Sequence, residues 1–511
     1  MFSVGKVGLW VQIQKMLYFK VQIEAICNCY YDFCGNCTHM TEYRYEQLEQ
    51  RLREQIRIGQ LAAGERMPSV RQLSRDATLS KSTVLTAYAR LEAEGLIEAR
   101  PRSGYFVAAP AQSTSALTKP ATSEPSIQPV PVSVGQVLVD IMEKGTAFDL
   151  LPPPPKPVHD SNEPLRRCLA RALRRQSRLE QEYYDEPQGL LMLREQLSHR
   201  LAHGGSQVNA SELVVTSGCQ HALLLALMAT TQPGDVVAIE SPGFYGAFQL
   251  LEALGLQALE LPCSVDTGIS PDALALALQH WPVKALMLSP SYSTPTGACM
   301  PEASKLKILS LAKTHGVAII EDDIYGELPF GLQRPRTLHS YDDSGSVLLC
   351  SSFSKCLSRD LRVGWIAPGK YLEKVKRLKV VTSLASSATA QQGASEYLAD
   401  GAYDRYLRQR RQQFRRQCDQ LQELIVEHLP MATACSYPQG GLALWLELPE
   451  SVDTLQLFHL ARQQGITITP GRLFTAQERY HHFLRLSFAQ PWTQERQSAL
   501  QSLGKMIANT I

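Results

Sequence analysis

The segment of the chain best equipped for chemistry is Ser-Phe-Ser-Lys at 352–355, which follows the apolar run VLLC and precedes Arg362 in LRVGW. A lysine at the end of a buried strand, among small hydroxyl residues, is desolvated and suited to forming a Schiff base with a carbonyl. Ser352 and Arg362 can bracket an anion such as a phosphate, the guanidinium bidentately. Taken alone, the segment also reads as a surface turn carrying a lysine. It is joined by VAIIEDDIYGEL, which ends an apolar run on Asp322 and places Tyr325 three residues later. A carboxylate there can keep a pyridine nitrogen protonated and make the ring an electron sink, and Tyr325 can donate to a phenolic oxygen. Upstream, Ser217-Gly218-Cys219-Gln220 stands between a strand-like and a helix-like stretch, where backbone N–H groups can cradle a phosphate. Lys355, Asp322, Tyr325 and this Ser-Gly turn jointly point to pyridoxal 5'-phosphate.

The elements that must position these groups follow from hydrophobic rhythm. ELVVTSG, DVVAIESP, ALMLSPS, VAIIEDD and SVLLCSSFS are apolar runs ending in small or polar residues, each followed by helix-like sequence. That rhythm predicts an α/β fold, a mainly parallel sheet covered by helices with ligand groups at the strands' carboxyl ends. It extends over 134–511. Residues 108–133 are rich in Pro, Ser, Thr and Ala, with Lys119 and Glu124 as their charges, and read as a semi-extended linker.

Ahead of the linker, residues 41–107 are patterned as a small helical module. YEQLEQRLREQIRIG spaces Leu48, Leu52 and Ile56 as one helix face, Pro68-Ser69 starts a second helix, and Ser80 can cap a third in which Val84, Tyr88 and Leu91 recur at helical spacing. Two short extended pieces flank Pro101-Arg102-Ser103-Gly104, which completes a winged helix-turn-helix. In that geometry the start of the third helix enters the major groove, so Ser80, Lys81, Ser82 and Thr83 can approach base edges and phosphates. Arg71 faces the backbone, and Arg102 sits on the wing tip beside Gly104. A helical adaptor, with the same run as a cap and solvated face, is the alternative from pattern alone. The segment holds 11 basic and 9 acidic residues, so DNA binding must rest on where charge is placed.

The whole chain of 511 residues carries 51 Lys+Arg against 49 Asp+Glu, which excludes a polyanion binder of uniformly basic surface. With 44% hydrophobic and 20% charged residues it is globular, and no apolar stretch reaches the roughly 18 residues of a membrane span. Eight of the 12 cysteines are scattered as in a reduced, cytoplasmic protein. The others, Cys27, Cys29, Cys34 and Cys37, crowd one segment that lacks the long excursion of usual structural zinc sites. Because amphipathic patterning starts abruptly after Met40, residues 1–39 read as upstream sequence from a misassigned start, with a disordered extension or a four-thiolate site as the alternatives. No metal is assigned. The arginines of 166–178 read as a solvated helix face, with a DNA contact as the alternative.

PSVRQLS, LSKSTVLTAYARLEAEGLIEA and RSGYFV resemble the GntR-type winged helix domain over 45–107. The resemblance implies operator binding as a dimer; Leu85 stands where many members have a basic residue. The series TSGCQ, ESPGFYG, SPSYSTPTG, EDDIYGE, SFSKCLSRDLRVGW, GGLALW, LRLSFA resembles the fold-type I aminotransferases across about 160–511. By that resemblance Lys355 is the cofactor lysine and general acid/base, Asp322 the pyridinium partner, Tyr325 the phenolate partner and Phe244 the stacking ring. Ser217, Gly218, Cys219, Gln220, Ser352 and Arg362 frame the phosphate, Tyr184 reaches the neighbouring subunit's phosphate, and Arg485 binds a substrate α-carboxylate. The sequence departs from the family at Thr294, where an asparagine is usual, and at Arg359-Asp360, where Pro-Gly is usual. The joint architecture is similar to the MocR/PdxR class: a homodimeric regulator that binds a double-stranded DNA operator and senses an amino compound or the cofactor through Lys355. A catalytically active aminotransferase tethered to DNA is the alternative.

Overall fold

Apolar runs that stay buried along their whole length build the central sheet. The computed structural model describes residues 44–93, 95–100, 103–108, 117–125, 128–133, 163–176, 186–331 and 333–510. The chain divides into two units, Met1–Pro110 and Ala111–Ile511. The cysteine-rich segment, Arg102, Arg178 and Tyr184 lie outside the described residues.

In the first unit, α1 (Arg44–Arg57), α2 (Val70–Asp76) and α3 (Lys81–Ala93) precede a hairpin of β1 (Ile97–Arg100) and β2 (Gly104–Val107). Helical spacing on α3 places Val84, Ala87, Tyr88 and Leu91 wholly inside, packed with Leu48 and Leu52 of α1. A serine caps the start of each of α2 and α3. Ser69 Oγ accepts from Gln72 N at 3.2 Å, and Ser80 Oγ accepts from Thr83 N at 3.1 Å. The Tyr88 hydroxyl donates to Pro68 O at 2.6 Å and ties the helix start to the core. Gly104 turns into the second hairpin strand at φ +100, a conformation that glycine adopts without a side-chain penalty.

The second unit is built on β3 (Val130–Pro131), β4 (Val214–Thr216), β5 (Val236–Ser241), β6 (Gln257–Ser264), β7 (Gly268–Ile269), β8 (Val283–Leu288), β9 (Ala318–Asp322), β10 (Val347–Ser352) and β11 (Gly364–Ala367). Their order is β3-β6-β5-β8-β9-β10-β11-β4, with β7 beside β6. β6, β5, β8, β9 and β10 run parallel, and β3, β11 and β4 pair antiparallel. All residues of β5, β9, β10 and β11 are buried, as expected of strands covered by helices on both faces. A second sheet, β12 (Ala434–Cys435), β13 (Ala443–Glu447), β14 (Thr469–Pro470) and β15 (Phe483–Ser487), is antiparallel in the order β12-β13-β15-β14. Helices α4 (Glu163–Arg175), α5 (Cys219–Thr230), α6 (Tyr245–Ala253), α7 (Leu372–Ser383) and α8 (Ala388–Ala399) matter for the site. Among the described residues no helix is long and apolar enough to cross a membrane.

The described part of the Pro-rich stretch is extended, as its composition predicts, and is bonded to the rest of the second unit, to which it belongs. Cys435 N donates to Thr118 O at 2.8 Å, Lys119 pairs with Asp266 at 2.8 Å, and Ala121 N donates to Glu447 Oε2 at 3.0 Å. Ser123 Oγ donates to Ser241 O at 2.5 Å and accepts from Cys263 N at 2.9 Å. Arg479 donates to the carbonyls of Glu124 and Pro125, and β3 adds to the edge of β6. This strap therefore touches both sheets of the unit.

Candidate functional site

β9 and β10 deliver their last residues to one cavity, and β15 of the smaller sheet supplies its far wall. Cys219, Gln220, Phe244, Thr294, Asp322, Tyr325, Ser352, Lys355, Arg362 and Arg485 all line it. These groups come from widely separated stretches of chain, which is the convergence that the motifs predict. Lining residues that the motif reading missed are Leu223, Tyr245, Ile324, Ser354 and Arg359. Tyr245 and Ser354 adjoin assigned residues, and Arg359 is visible only as a departure from the family pattern.

Ser217 and Gly218 stand behind the cup. Arg362 Nη2 donates to Ser217 O at 2.8 Å, and its Nη1 lies 3.4 Å from Ser354 Oγ. A Cβ on Gly218, where φ is +91, would lie 2.6 Å from that same Nη2, so glycine is what lets the guanidinium close over the turn. Arg362 itself has φ +49, a left-handed conformation that a non-glycine residue adopts under strain. Such a residue fits a place where side-chain position matters more than local stability. α5 starts immediately after Gly218, so its free N–H groups and positive dipole end border the cavity.

Phe244 caps α6, and Gly246 leaves room for its ring, since a Cβ there would lie 2.5 Å from the ring edge. Gln220 is fixed by a bond from its Nε2 to Gly246 O at 2.9 Å. Gly243 N donates to Phe474 O at 2.8 Å, so the stretch that carries Phe244 is held by the neighbouring lobe. Arg485 sits on β15 opposite Trp445 and Thr469 and is buried.

Asp322 is buried, and burial raises its carboxyl to about 6, against the opposing pull of the Cys219 thiol, the Ile324 N–H and the Lys355 cation. Glu240, also buried, is pushed up to about 8 although Ser289 N and Ser293 Oγ donate to it. Behind the cup, His221 Nδ1 accepts from Ser217 N at 3.2 Å while Nε2 meets Thr382 Oγ1 at 2.9 Å. Burial lowers this imidazole to about 4, so it is neutral and serves as a fixed strut. Lys379 of α7 is fully buried nearby, with its Nζ 3.3 Å from Ser383 Oγ, and burial lowers it to about 8. Neither residue is signalled by a motif. Among the described residues the cavity lining holds Lys355, Arg359, Arg362 and Arg485 against the single carboxylate of Asp322, a balance that suits an anionic ligand.

On the winged helix module, the DNA reader of the chain, Ser80, Lys81 and Ser82 are exposed and Thr83 is half-buried at the leading edge of α3, and Arg71 is exposed on α2. Ser80 Oγ lies 2.7 Å from Ser82 Oγ and 2.8 Å from Thr83 Oγ1, so these hydroxyls form one small cluster. Leu85 is 46% exposed. On α4, Arg171 and Arg175 are engaged by Glu396 of α8 at 3.1 and 2.7 Å. No group of three or more metal-ligating side chains occurs among the described residues.

Residues 157–503 match the family Aminotransferase class I and II, and residues 44–107 match Bacterial regulatory proteins, gntR family. The chain belongs to the class I and II aminotransferase family and carries a gntR module ahead of that domain, which is the architecture of the MocR class. It is 39% identical over 468 residues to the uncharacterized HTH-type transcriptional regulator YjiR of Escherichia coli, covering 91% of this chain and 98% of that one. Among solved structures it is similar to a kynurenine aminotransferase of Pyrococcus horikoshii, with TM-score 0.67 and 26% identity over 74% of this chain and 95% of that one. It is also similar to LysN, an α-aminoadipate aminotransferase of Thermus thermophilus complexed with N-(5'-phosphopyridoxyl)-L-leucine, with TM-score 0.64 and 27% identity over 68% and 89%.

Proposed function

We propose that the chain is a homodimeric transcriptional regulator of the MocR type that works in the cytoplasm. In this reading it binds a double-stranded DNA operator, holds pyridoxal 5'-phosphate at Lys355, and responds to an amino compound or to the cofactor itself. The observation that carries the reading is the meeting of Lys355, Asp322, Tyr325, Phe244, Arg362 and Arg485 at one cavity in a chain that also holds a gntR module.

The residues present suit that cofactor. Asp322 Oδ1 takes two hydrogen bonds, and its Oδ2 takes none among the described residues, which leaves an acceptor for a ring nitrogen. Arg362, Ser352 and the start of α5 are donors suited to a phosphate. When bound, pyridoxal phosphate supplies a carbonyl that condenses with primary amines and a ring that withdraws electrons. Asp322 would hold the proton on the ring nitrogen, and Phe244 would stack on the ring. Tyr325 would donate to the phenolic oxygen, with Thr294 adding one hydroxyl where an asparagine would add an amide. Arg485 would take the α-carboxylate of an amino acid, and Lys355 would hold and return a proton at Nζ. Tyr184 would complete the partner subunit's phosphate cup. The exposed apolar side chains Val380, Val381 and Leu384 at the end of α7 support such pairing.

Ser123 bonds the strap to Ser241, three residues before Phe244, so a ligand that moves the Phe244 stretch would pull on the strap and on the DNA module attached to it. Regulation then requires a ligand that binds the two states with different affinity. The test is a spectral titration of the cofactor-loaded chain with a panel of amino acids and amines, with operator affinity measured in the same samples. One amine class is expected to shift the spectrum and change operator affinity together. If added pyridoxal phosphate produces no absorbance band, the reading fails. The complete set of Lys355, Asp322, Tyr325 and Arg485 also favours a second reading, a working aminotransferase. Multiple-turnover keto-acid production that is lost in Lys355→Ala would support it.

A further inference from the structure

We infer that Cys219 is a positioning residue for Asp322: its thiol and the Ile324 N–H together occupy Oδ1 and reserve Oδ2 for a ring nitrogen. The proposal deepens the cofactor reading and rests on it. Cys219 is the first residue of α5 and Asp322 the last of β9, 103 positions apart in sequence, yet Sγ lies 3.3 Å from Oδ1 and Ile324 N lies 3.1 Å from the same oxygen. Both side chains line the cavity, and each is only 5% exposed. Burial lifts the thiol well above its ordinary range, so Cys219 is protonated and acts as a donor, not as a nucleophile.

A carboxylate with two equivalent oxygens can rotate and offer either one. With Oδ1 held twice, the group has one orientation and one open acceptor. The bond also favours the ionised form, which matters because the surroundings are divided. Lys355 favours the charge on Asp322 and Asp323 opposes it, while Glu240, pushed up to about 8, and Cys350, from β10, are held protonated by burial. With burial dominant, Asp322 sits at about 6, so it is ionised at neutral pH by a narrow margin. Removing a donor narrows that margin further. A thiol is a weak donor, so the loss of cofactor affinity is expected to be roughly three- to tenfold.

The test is equilibrium binding of pyridoxal phosphate to the full-length, cofactor-free chain between pH 5.5 and 8.5, for the wild type, Cys219→Ala and Cys219→Ser. A parallel series uses a cofactor analogue whose ring nitrogen is replaced by carbon. For Cys219→Ala, the acid limb of the binding profile should move to higher pH, with the affinity loss given above at pH 7. Cys219→Ser, which keeps a donor, should stay within about twofold of the wild type. With the nitrogen-free analogue, wild type and Cys219→Ala should coincide, because nothing then contacts Oδ2. An unchanged profile in Cys219→Ala, an equal loss with the nitrogen-free analogue, or no rescue by serine would each overturn the role given to the thiol. Failure of the wild type to bind pyridoxal phosphate at any pH would instead overturn the cofactor reading beneath it.

Discussion

On the reader, Ser80 and Ser82 are exposed and Thr83 half-buried, and Ser80 bonds to the other two across two and three positions of chain. In the cavity, Asp322 is held by Cys219 from 103 positions away, and Arg362 reaches Ser217 across 145. A surface built from neighbours in sequence can lose one side chain without disturbing the next. A cavity built from distant segments couples its members, so substitutions there should be non-additive. The reader should therefore fail in small, separable steps, and the cavity should fail as a whole.

The largest effect expected is that of Lys355→Ala. It should abolish covalent attachment of pyridoxal phosphate, read as loss of the absorbance band and of label after borohydride reduction. Ligand-free operator binding should persist, because the reader has its own core around Val84, Tyr88 and Leu91. Loss of both properties at once would break the contrast between the two units.

Asp322→Asn should separate stability from function. The carboxyl lies at about 6 in the fold against 3.8 ordinarily, so the folded state holds its proton more tightly than the unfolded chain does. The stability this group contributes is complete below 3.8 and is lost as pH rises through about 6. Asparagine avoids that loss, so at pH 7.5 the cofactor-free variant should be more stable by roughly 1–3 kcal/mol and should bind cofactor more weakly. Thermal melts from pH 5 to 8, with and without pyridoxal phosphate, check both signs. Equal stability at pH 7.5 would show that Asp322 carries no cost of burial.

The same contrast explains what could be read from sequence. Asp322, Tyr325 and Lys355 were legible because Asp322 ends an apolar strand, and Tyr325 and Lys355 each follow the last residue of one by three positions, in a direction that a parallel sheet dictates. The caps Ser69 and Ser80 were legible because capping is local. His221 and Lys379 were not, since their meeting behind Ser217 depends on α7 packing against α5, which no spacing encodes. The arginine run on α4 reads as a free face, yet Arg171 and Arg175 are engaged by Glu396, more than 200 residues away. The bonding of the strap was also invisible, because small residues and prolines carry no periodicity to show which edge they meet.

Ser123→Ala tests whether the strap joins the two behaviours. Its hydroxyl donates to Ser241 O and accepts from Cys263 N, and removing it should weaken strap attachment by about 1–2 kcal/mol. Cofactor affinity should stay within about twofold, since that change is below 0.5 kcal/mol, while the ligand-induced change in operator affinity shrinks severalfold. Parallel measurements of both affinities decide it. A cofactor defect as large as the regulatory one would mean that the strap belongs to the cavity's own scaffold.

The smallest effects belong to the reader, where Lys81→Ala and Leu85→Arg form a pair of opposite sign. Lys81 is exposed at the start of α3, and if it meets one phosphate its removal should lower the slope of log affinity against log salt by roughly one, uniformly across operator variants. Leu85 is exposed further along the same helix, where a basic residue would add a contact that this chain lacks. Leu85→Arg should therefore steepen the salt dependence by about one and tighten binding at low salt without sharpening sequence preference. Because the two positions share no partner, the double variant should return close to the wild-type slope. A double variant that departs from that sum would show that the reader surface is coupled in the way the cavity is.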